Sequence, residues 1–256
     1  MFDWIAIASG FGVGVIVGIT GVGGGSLMTP LLLSVFKLNP AVAIGTDLWF
    51  AGLTKVSGSV AHARHGHVKW GITALLLAGS IPASVATVAL MHTTGITKGW
   101  AEALTFSLGI ALLLTAVVVA FKKSWQALGL RLERVIPESR KPALTVLSGV
   151  ILGVLVSLSS IGAGAIGATL ILLIYPRLEA RYIVGSDIAH AVPLTLVAGI
   201  GHATLGHVNW ALLVPLLIGS VPGIWLGAQL TRRLPDGVVR TLLCGSLLMA
   251  GWKVIH

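Results

Sequence analysis

Eight stretches of this chain are each long and apolar enough to cross a lipid bilayer, and that limits what it can fold into. They run from Phe2 to Thr20, Ala41 to Ala61, Trp70 to Met91, Ala103 to Phe121, Pro142 to Ser159, Tyr182 to Gly201, Trp210 to Leu230 and Val238 to Val254. About 20 apolar residues in a helix cover the hydrocarbon core, and a helix satisfies its own backbone groups there. Charge is correspondingly scarce: 10% of the residues are charged and 55% hydrophobic, where a soluble domain carries about 25% charged residues to wet its surface. The expectation is an all-α polytopic membrane protein. Its 33 glycines suit close helix packing in lipid, where no hydrophobic effect draws helices together. Cys244 stands alone, which excludes an intrachain disulfide. Met1 to Trp4 lacks a basic lead, so the first apolar stretch reads as a retained span rather than a signal peptide.

Two further apolar segments, Ser26 to Phe36 and Ala165 to Pro176, are only about half a membrane thick. Each follows a Gly/Ser-rich break that carries no charge. The breaks are Thr20-Gly-Val-Gly-Gly-Gly-Ser26 and Ser157-Leu-Ser-Ser-Ile-Gly-Ala-Gly164. Uncharged breaks of this kind do not resemble aqueous loops.

The chain repeats itself. Residues 45–90 laid on 185–230 without gaps match at 15 of 46 positions, among them Gly45/Gly185, Asp47/Asp187, His62/His202, Gly66/Gly206, His67/His207, Trp70/Trp210, Ser80/Ser220 and Pro82/Pro222. A shift of 139 also lays Val22-Gly-Gly-Gly25 on Ile161-Gly-Ala-Gly164. Residues 1–121 and 142–256 are therefore read as two five-segment repeats, joined by a basic linker at 122–141.

An odd segment number inverts the second copy, and the charges favour inversion. With the linker cytoplasmic, Arg64, Lys69, Arg177, Arg181, Arg232, Arg233 and Arg240 join its six basic residues on the inner side. Only Lys37, Lys98 and Lys253 lie outside, and Lys55 lies within a span. The loop at His62 to Lys69 carries Arg64 and Lys69, whereas its repeat has Thr204 and Asn209 in their places. Both termini are expected outside. The formal charge of +9 then reads as topology, and no basic stripe with interleaved aromatics points to nucleic acid. Trp4, Trp70, Trp100, Trp210 and Trp252 fall at span ends, as an interfacial belt would place them.

Inverted repeats with broken segments are a recurrent transporter design, with alternating access around a shared site. A half-helix starting at Ser26 or Ala165 presents free N–H groups and a positive dipole end, which suits an anion. Thr20, Gly23, Gly24, Gly25, Ser26, Ser159, Ser160, Gly162 and Gly164 are the candidate lining of such a site; close helix packing is the competing role for the glycines. Asp47 and Asp187 are carboxylates in predicted spans. Burial and a nearby anion favour their neutral form, which makes them candidate proton carriers; the alternative is helix capping, with Thr46 and Ser186 as fellow caps. Lys55 is a candidate counter-charge for the anion or a partner for Asp47. His190, in place of Phe50, is a candidate proton group or a packing residue. The cluster His62, His65 and His67 lacks a completing Cys or carboxylate, so no metal is expected there. No nucleophile signature supports an enzyme.

Gly21-Val-Gly-Gly-Gly25 leading to Pro30, Ala43-Ile-Gly-Thr46 with its echo Val184-Gly-Ser186, the His-Gly-His-Val turn and Gly79-Ser-x-Pro82 with Gly219-Ser-x-Pro222 together resemble the TauE/SafE family of sulfite and organosulfonate exporters. The resemblance covers nearly the whole chain except the linker. It implies proton-driven transport of small sulfur-containing anions, such as sulfite, thiosulfate or sulfoacetate, across a bacterial inner membrane. It bears on Gly23, Gly24, Gly25, Thr46, Gly162, Gly164 and Ser186 as cavity-lining positions. The chain departs from the pattern where the second break thins to Gly-Ala-Gly and where Asp follows Thr46 and Ser186. The expected partners are the small anion, protons, the lipid bilayer and, as an option, a second copy in a homodimer; no cofactor is expected. Rival readings are a carrier of another solute or of a metal cation held by Asp47 and Asp187, and an intramembrane enzyme.

Overall fold

The computed structural model describes residues 3–20, 25–94, 98–231 and six positions between 241 and 251. Among them the regular structure is helical. The first half comprises α1 (Trp4–Thr20), α2 (Gly25–Ser34), α3 (Pro40–Arg64), α4 (Trp70–Thr94) and α5 (Lys98–Ala120). The linker folds as α6 (Lys122–Glu133) and a single 3-10 turn at Glu138–Arg140. The second half follows with α7 (Lys141–Ser159), α8 (Ala165–Ile174), α9 (Ala180–Thr204) and α10 (Trp210–Thr231). The last expected span, Val238 to Val254, lies mostly outside the described residues.

Five of the described helices are long and apolar enough to cross a membrane. They are α4, α5, α7, α9 and α10. α3 has the length, 25 residues, but Thr46, Asp47, Lys55, Ser57 and Ser59 make it the most polar of the long helices. The two short segments are half-length helices of 10 residues each.

Glycines set the helix pairing, and the pairing is reciprocal between halves. A methyl group placed on Gly10 would lie 2.1 Å from the Leu216 carbonyl oxygen, and one on Gly149 would lie 2.2 Å from that of Leu76. Gly14 meets Ser220 as Gly153 meets Ser80, and Gly219 meets Ile7 as Gly79 meets Val146. Thus α1 lies backbone to backbone on α10, and α7 on α4, each first helix of one half against the fourth helix of the other. No larger residue fits these contacts, and in lipid such close approach is what holds helices together. Along both pairs the residue numbers rise together, so the partners run parallel.

The central pair is α3 and α9, the equivalent helices of the two repeats. Trp49 Nε1 donates to the Gly199 carbonyl oxygen at 3.0 Å, Gly52 packs on Leu196, and Gly58 faces Ile188. Numbers rise in one helix as they fall in the other, so these equivalents run antiparallel. Each repeat's loop also locks into the other's central helix. A methyl group on Gly45 would meet the His207 carbonyl oxygen, and one on Gly185 that of His67. One residue on, Thr46 Oγ1 accepts from Asn209 N and Ser186 Oγ accepts from Lys69 N, both at 2.9 Å.

The linker is folded onto the second half. Gly129 of α6 packs against Leu172, Leu173 and Pro176, and Trp125 joins the core cluster that contains Leu152, Ile166 and Ile171. The buried Lys141 ammonium meets Glu138 at 2.5 Å and Glu133 at 4.0 Å, while Arg177 meets Glu133 at 2.9 Å.

Candidate substrate site

The break between α7 and α8 is built by backbone that only special residues adopt. Ser160, the C-cap of α7, has a left-handed φ of 59°, and Gly162 and Gly164 follow with φ of 131° and 141°. Glycine reaches such angles freely, whereas a side chain at Gly164 would be strained. Ser159 Oγ donates to the Leu155 carbonyl oxygen at 2.7 Å and accepts from Ile161 N at 3.2 Å, closing the bend. Gly164 then caps α8, whose first N–H groups have no helical acceptor by construction. In the first repeat, Gly23 and Gly24 lie outside the described residues, and Thr20, Gly25 and Ser26 are placed as helix ends without side-chain detail.

Lys55 crosses from the first half to this break. Its ammonium donates to the Ala163 carbonyl oxygen at 2.7 Å, and it interacts electrostatically with both Asp187 and Asp47. The counter-charge at the break is thus supplied by the opposite repeat. An exclusive Lys55–Asp47 pair along one helix is replaced by this cross-repeat arrangement.

Both aspartates are buried, each against the short helix of its own repeat. The Thr29 hydroxyl of α2 donates to Asp47 Oδ2, and the Ser160 side chain also reaches Asp47. Asp187 lies on the first turn of α8: a methyl group on Gly167 would sit 2.1 Å from its Oδ1, and the Gly164 N–H faces its carboxyl. Asp47 Oδ1 and Asp187 Oδ1 are buried without a partner in hydrogen-bond geometry. Orphaned buried acceptors are costly, and the two flank the same break.

The capping alternative for the aspartates is overturned. α3 begins at Pro40 with Asn39 as its cap, the Asn39 side chain accepting from Val42 N at 2.9 Å, and Glu179 is the cap residue of α9. Asp47 and Asp187 lie two turns inside, beyond the reach of a cap. Thr46 and Ser186 do not cap either; their hydroxyls hold the opposite loops, as described above. His190 Nε2 pairs with Ser80 Oγ at 2.9 Å inside the core. Close by, Ser84 Oγ meets Ser157 Oγ at 2.8 Å, and His202 Nε2 donates to the Ser157 carbonyl oxygen at 2.9 Å.

The break, Lys55, Asp47 and Asp187 are therefore brought together, while Thr46, Ser186 and His190 have partners elsewhere. Sequence reasoning missed Thr29 and Gly167. Thr29 is a lone hydroxyl in the apolar part of α2, a usable signal. Gly167 is one glycine among many, and nothing in the sequence marks it. The rings of His62 and His67 lie 5.8 Å apart, as those of His202 and His207 lie 5.7 Å apart, a matched pair at the two turns. No group of three His, Cys, Asp or Glu with metal-binding geometry occurs among the described residues.

A family model described as sulfite exporter TauE/SafE matches residues 6–254. The chain is 36% identical over 259 residues to the probable membrane transporter protein YjnA of Bacillus subtilis, covering 97% of this chain and 98% of that protein. It is 28% identical to the probable membrane transporter protein YdhB of the same organism, over 94% of this chain and 95% of that one. A probable membrane transporter protein of Xylella fastidiosa is also 28% identical, over 90% and 85%. No solved structure matches. With five apolar helices of membrane-spanning length and a family match over almost its whole length, the chain is a multi-pass membrane protein of the sulfite exporter TauE/SafE family.

Proposed function

We propose that this chain is a secondary transporter of small sulfur-containing oxyanions, such as sulfite, thiosulfate or sulfonates, working by alternating access in a bacterial inner membrane. The observation that carries the reading is the Lys55 ammonium on the Ala163 carbonyl. It joins a positive charge from one repeat to a helix start in the other, at a break lined by unpartnered oxygens. An ammonium beside a helix N-terminus favours an anion over a metal cation. Such a site exists only while the two repeats are in register, so rocking one repeat against the other opens and closes it.

The antiparallel course of α3 and α9 supports inverted repeats. So does the divergence of the Arg64/Lys69 loop from its Thr204/Asn209 counterpart. In this topology the linker is cytoplasmic and both termini are external. Reporter fusions at the C-terminus test it: external reporters are expected, and cytoplasmic ones would remove the inversion. Asp47 and Asp187 are the groups through which the anion is coupled to protons, and the family description points to export as the working direction.

Purified protein in proteoliposomes with an imposed pH gradient tests the whole reading. Flux of labelled sulfite or thiosulfate that follows the gradient is expected. Absence of flux of any sulfur oxyanion, in either gradient direction, would overturn it.

A further inference from the structure

We infer that Asp187 is a tethered competitor for the transported anion: its carboxylate occupies the N-terminal turn of α8, and an oxyanion takes that place only as Asp187 accepts one proton. This rests on the oxyanion reading above. The geometry is specific to Asp187. Its carboxyl lies against Gly167, the third residue of α8, where a side chain of any size would exclude it. The Gly164 N–H and the Lys55 charge, the two features that would hold a substrate anion, both act on this carboxyl. One of its oxygens has no hydrogen-bond partner although the residue is 2% exposed, so the carboxylate is held by charge and dipole rather than locked by donors. Asp47 differs, because the Thr29 hydroxyl holds it on α2.

The charged and titratable groups around Asp187 are few. Lys55 of α3 acts on both aspartates, His62 of α3 lies beside Gly185, and His190 follows one turn later on α9 itself; α8 carries no ionisable side chain, and those of α4 and α7, His92 and Lys141, stand at helix ends. Two anions beside a single ammonium in a low-dielectric site repel one another strongly. Binding therefore proceeds by exchange: the oxyanion takes the N–H groups and the ammonium, and the carboxylate takes a proton from water to become a neutral acid. Each anion carries one proton with it, so a monoanion leaves the net charge of the site unchanged and a dianion such as thiosulfate adds one negative charge instead of two.

The test is anion binding to the full-length protein in lipid nanodiscs, with proton uptake read in weakly buffered solution. Thiosulfate and sulfoacetate are the probes, because neither takes up protons itself near neutral pH. At alkaline pH, where Asp187 is ionised before the anion arrives, the wild type is expected to take up about one proton per anion, and its affinity to fall about tenfold per unit rise in pH. Asp187→Asn is expected to bind the same anion without proton uptake and with affinity independent of pH. Thr195→Ala, whose hydroxyl bonds within its own helix, should retain the uptake. Infrared difference spectra of the wild type provide a readout that needs no variant: a protonated carboxyl band should appear when thiosulfate is added. Uptake unchanged in Asp187→Asn, or anion binding to the wild type without proton uptake and without that band, would overturn the inference while leaving the oxyanion site standing. If no sulfur oxyanion binds the wild type at all, the oxyanion reading falls and this inference falls with it.

Discussion

The two halves of the molecule are alike where they hold the protein together and different where they meet the proposed substrate. Gly10 and Gly149, Gly14 and Gly153, Gly219 and Gly79, and Gly45 and Gly185 make the same backbone contacts in mirrored form. Thr46 and Ser186 hold the opposite loop at the same distance. The differences cluster around the second break. Lys55 of α3 reaches Ala163, but its counterpart Thr195 bonds to carbonyls of its own helix, Ala191 at 2.8 Å and Val192 at 3.2 Å. His190 pairs with Ser80 where the first half has the buried Phe50, and Ser84 meets Ser157 where the repeat counterparts are Ile224 and Gly18. A duplicated scaffold thus carries a chemistry that is not duplicated.

The largest expected effect falls on the asymmetric side. Gly164→Leu forces a side chain onto a φ of 141° and fills the space in front of α8, so transport in proteoliposomes should drop below detection while membrane insertion is unchanged. Full activity would reduce the break to a packing device. The symmetric contacts come next. Gly45→Ala and Gly185→Ala would each press a methyl group into a carbonyl of the opposite loop, and each should destabilise by about 1–3 kcal/mol in thermal unfolding. Similar losses in the two variants support a shared scaffold role; a loss confined to one would break the comparison. The loop latches are weaker still. Thr46→Val and Ser186→Ala each orphan a loop N–H, of Asn209 and Lys69 respectively, at a cost of about 1–2 kcal/mol. The smallest effect is expected for His190→Phe, which makes the second half resemble the first. It leaves the Ser80 hydroxyl without its partner, costs about 1 kcal/mol and should change flux only a few fold.

The repeat, the half-length helices and the breaks could be read from the sequence because each is a local pattern: an apolar run of given length, or a glycine cluster without charge. The cross-pairing of α1 with α10 and α4 with α7 could not. Gly10 and Gly149 are spaced like any small residues in a span, and their partners lie in the other half. Asp47 and Asp187 stood out as costly charges in apolar surroundings, yet sequence left capping and coupling open, since only the true helix start at Pro40 shows that Asp47 lies two turns inside. The family resemblance makes Thr46 and Ser186 lining positions beside the aspartates; on a helix, neighbours in sequence point about 100° apart, and these hydroxyls hold the opposite loops. The linker, read as a polar connector, is a helix seated on α8 through Gly129, with Trp125 one turn earlier packed on the same core while Leu128 and Leu130 stay exposed.

The central claim is that the anion is held where Lys55 meets the second break, and not at the equivalent place in the other half. Binding of labelled thiosulfate to the purified protein, compared between Lys55→Ala and Thr195→Ala, tests it most directly. Loss of a buried counter-charge costs about 3–5 kcal/mol, so Lys55→Ala should weaken binding by about a hundredfold or more, while Thr195→Ala stays within about twofold of the wild type. Equal affinity in Lys55→Ala and the wild type would contradict the account.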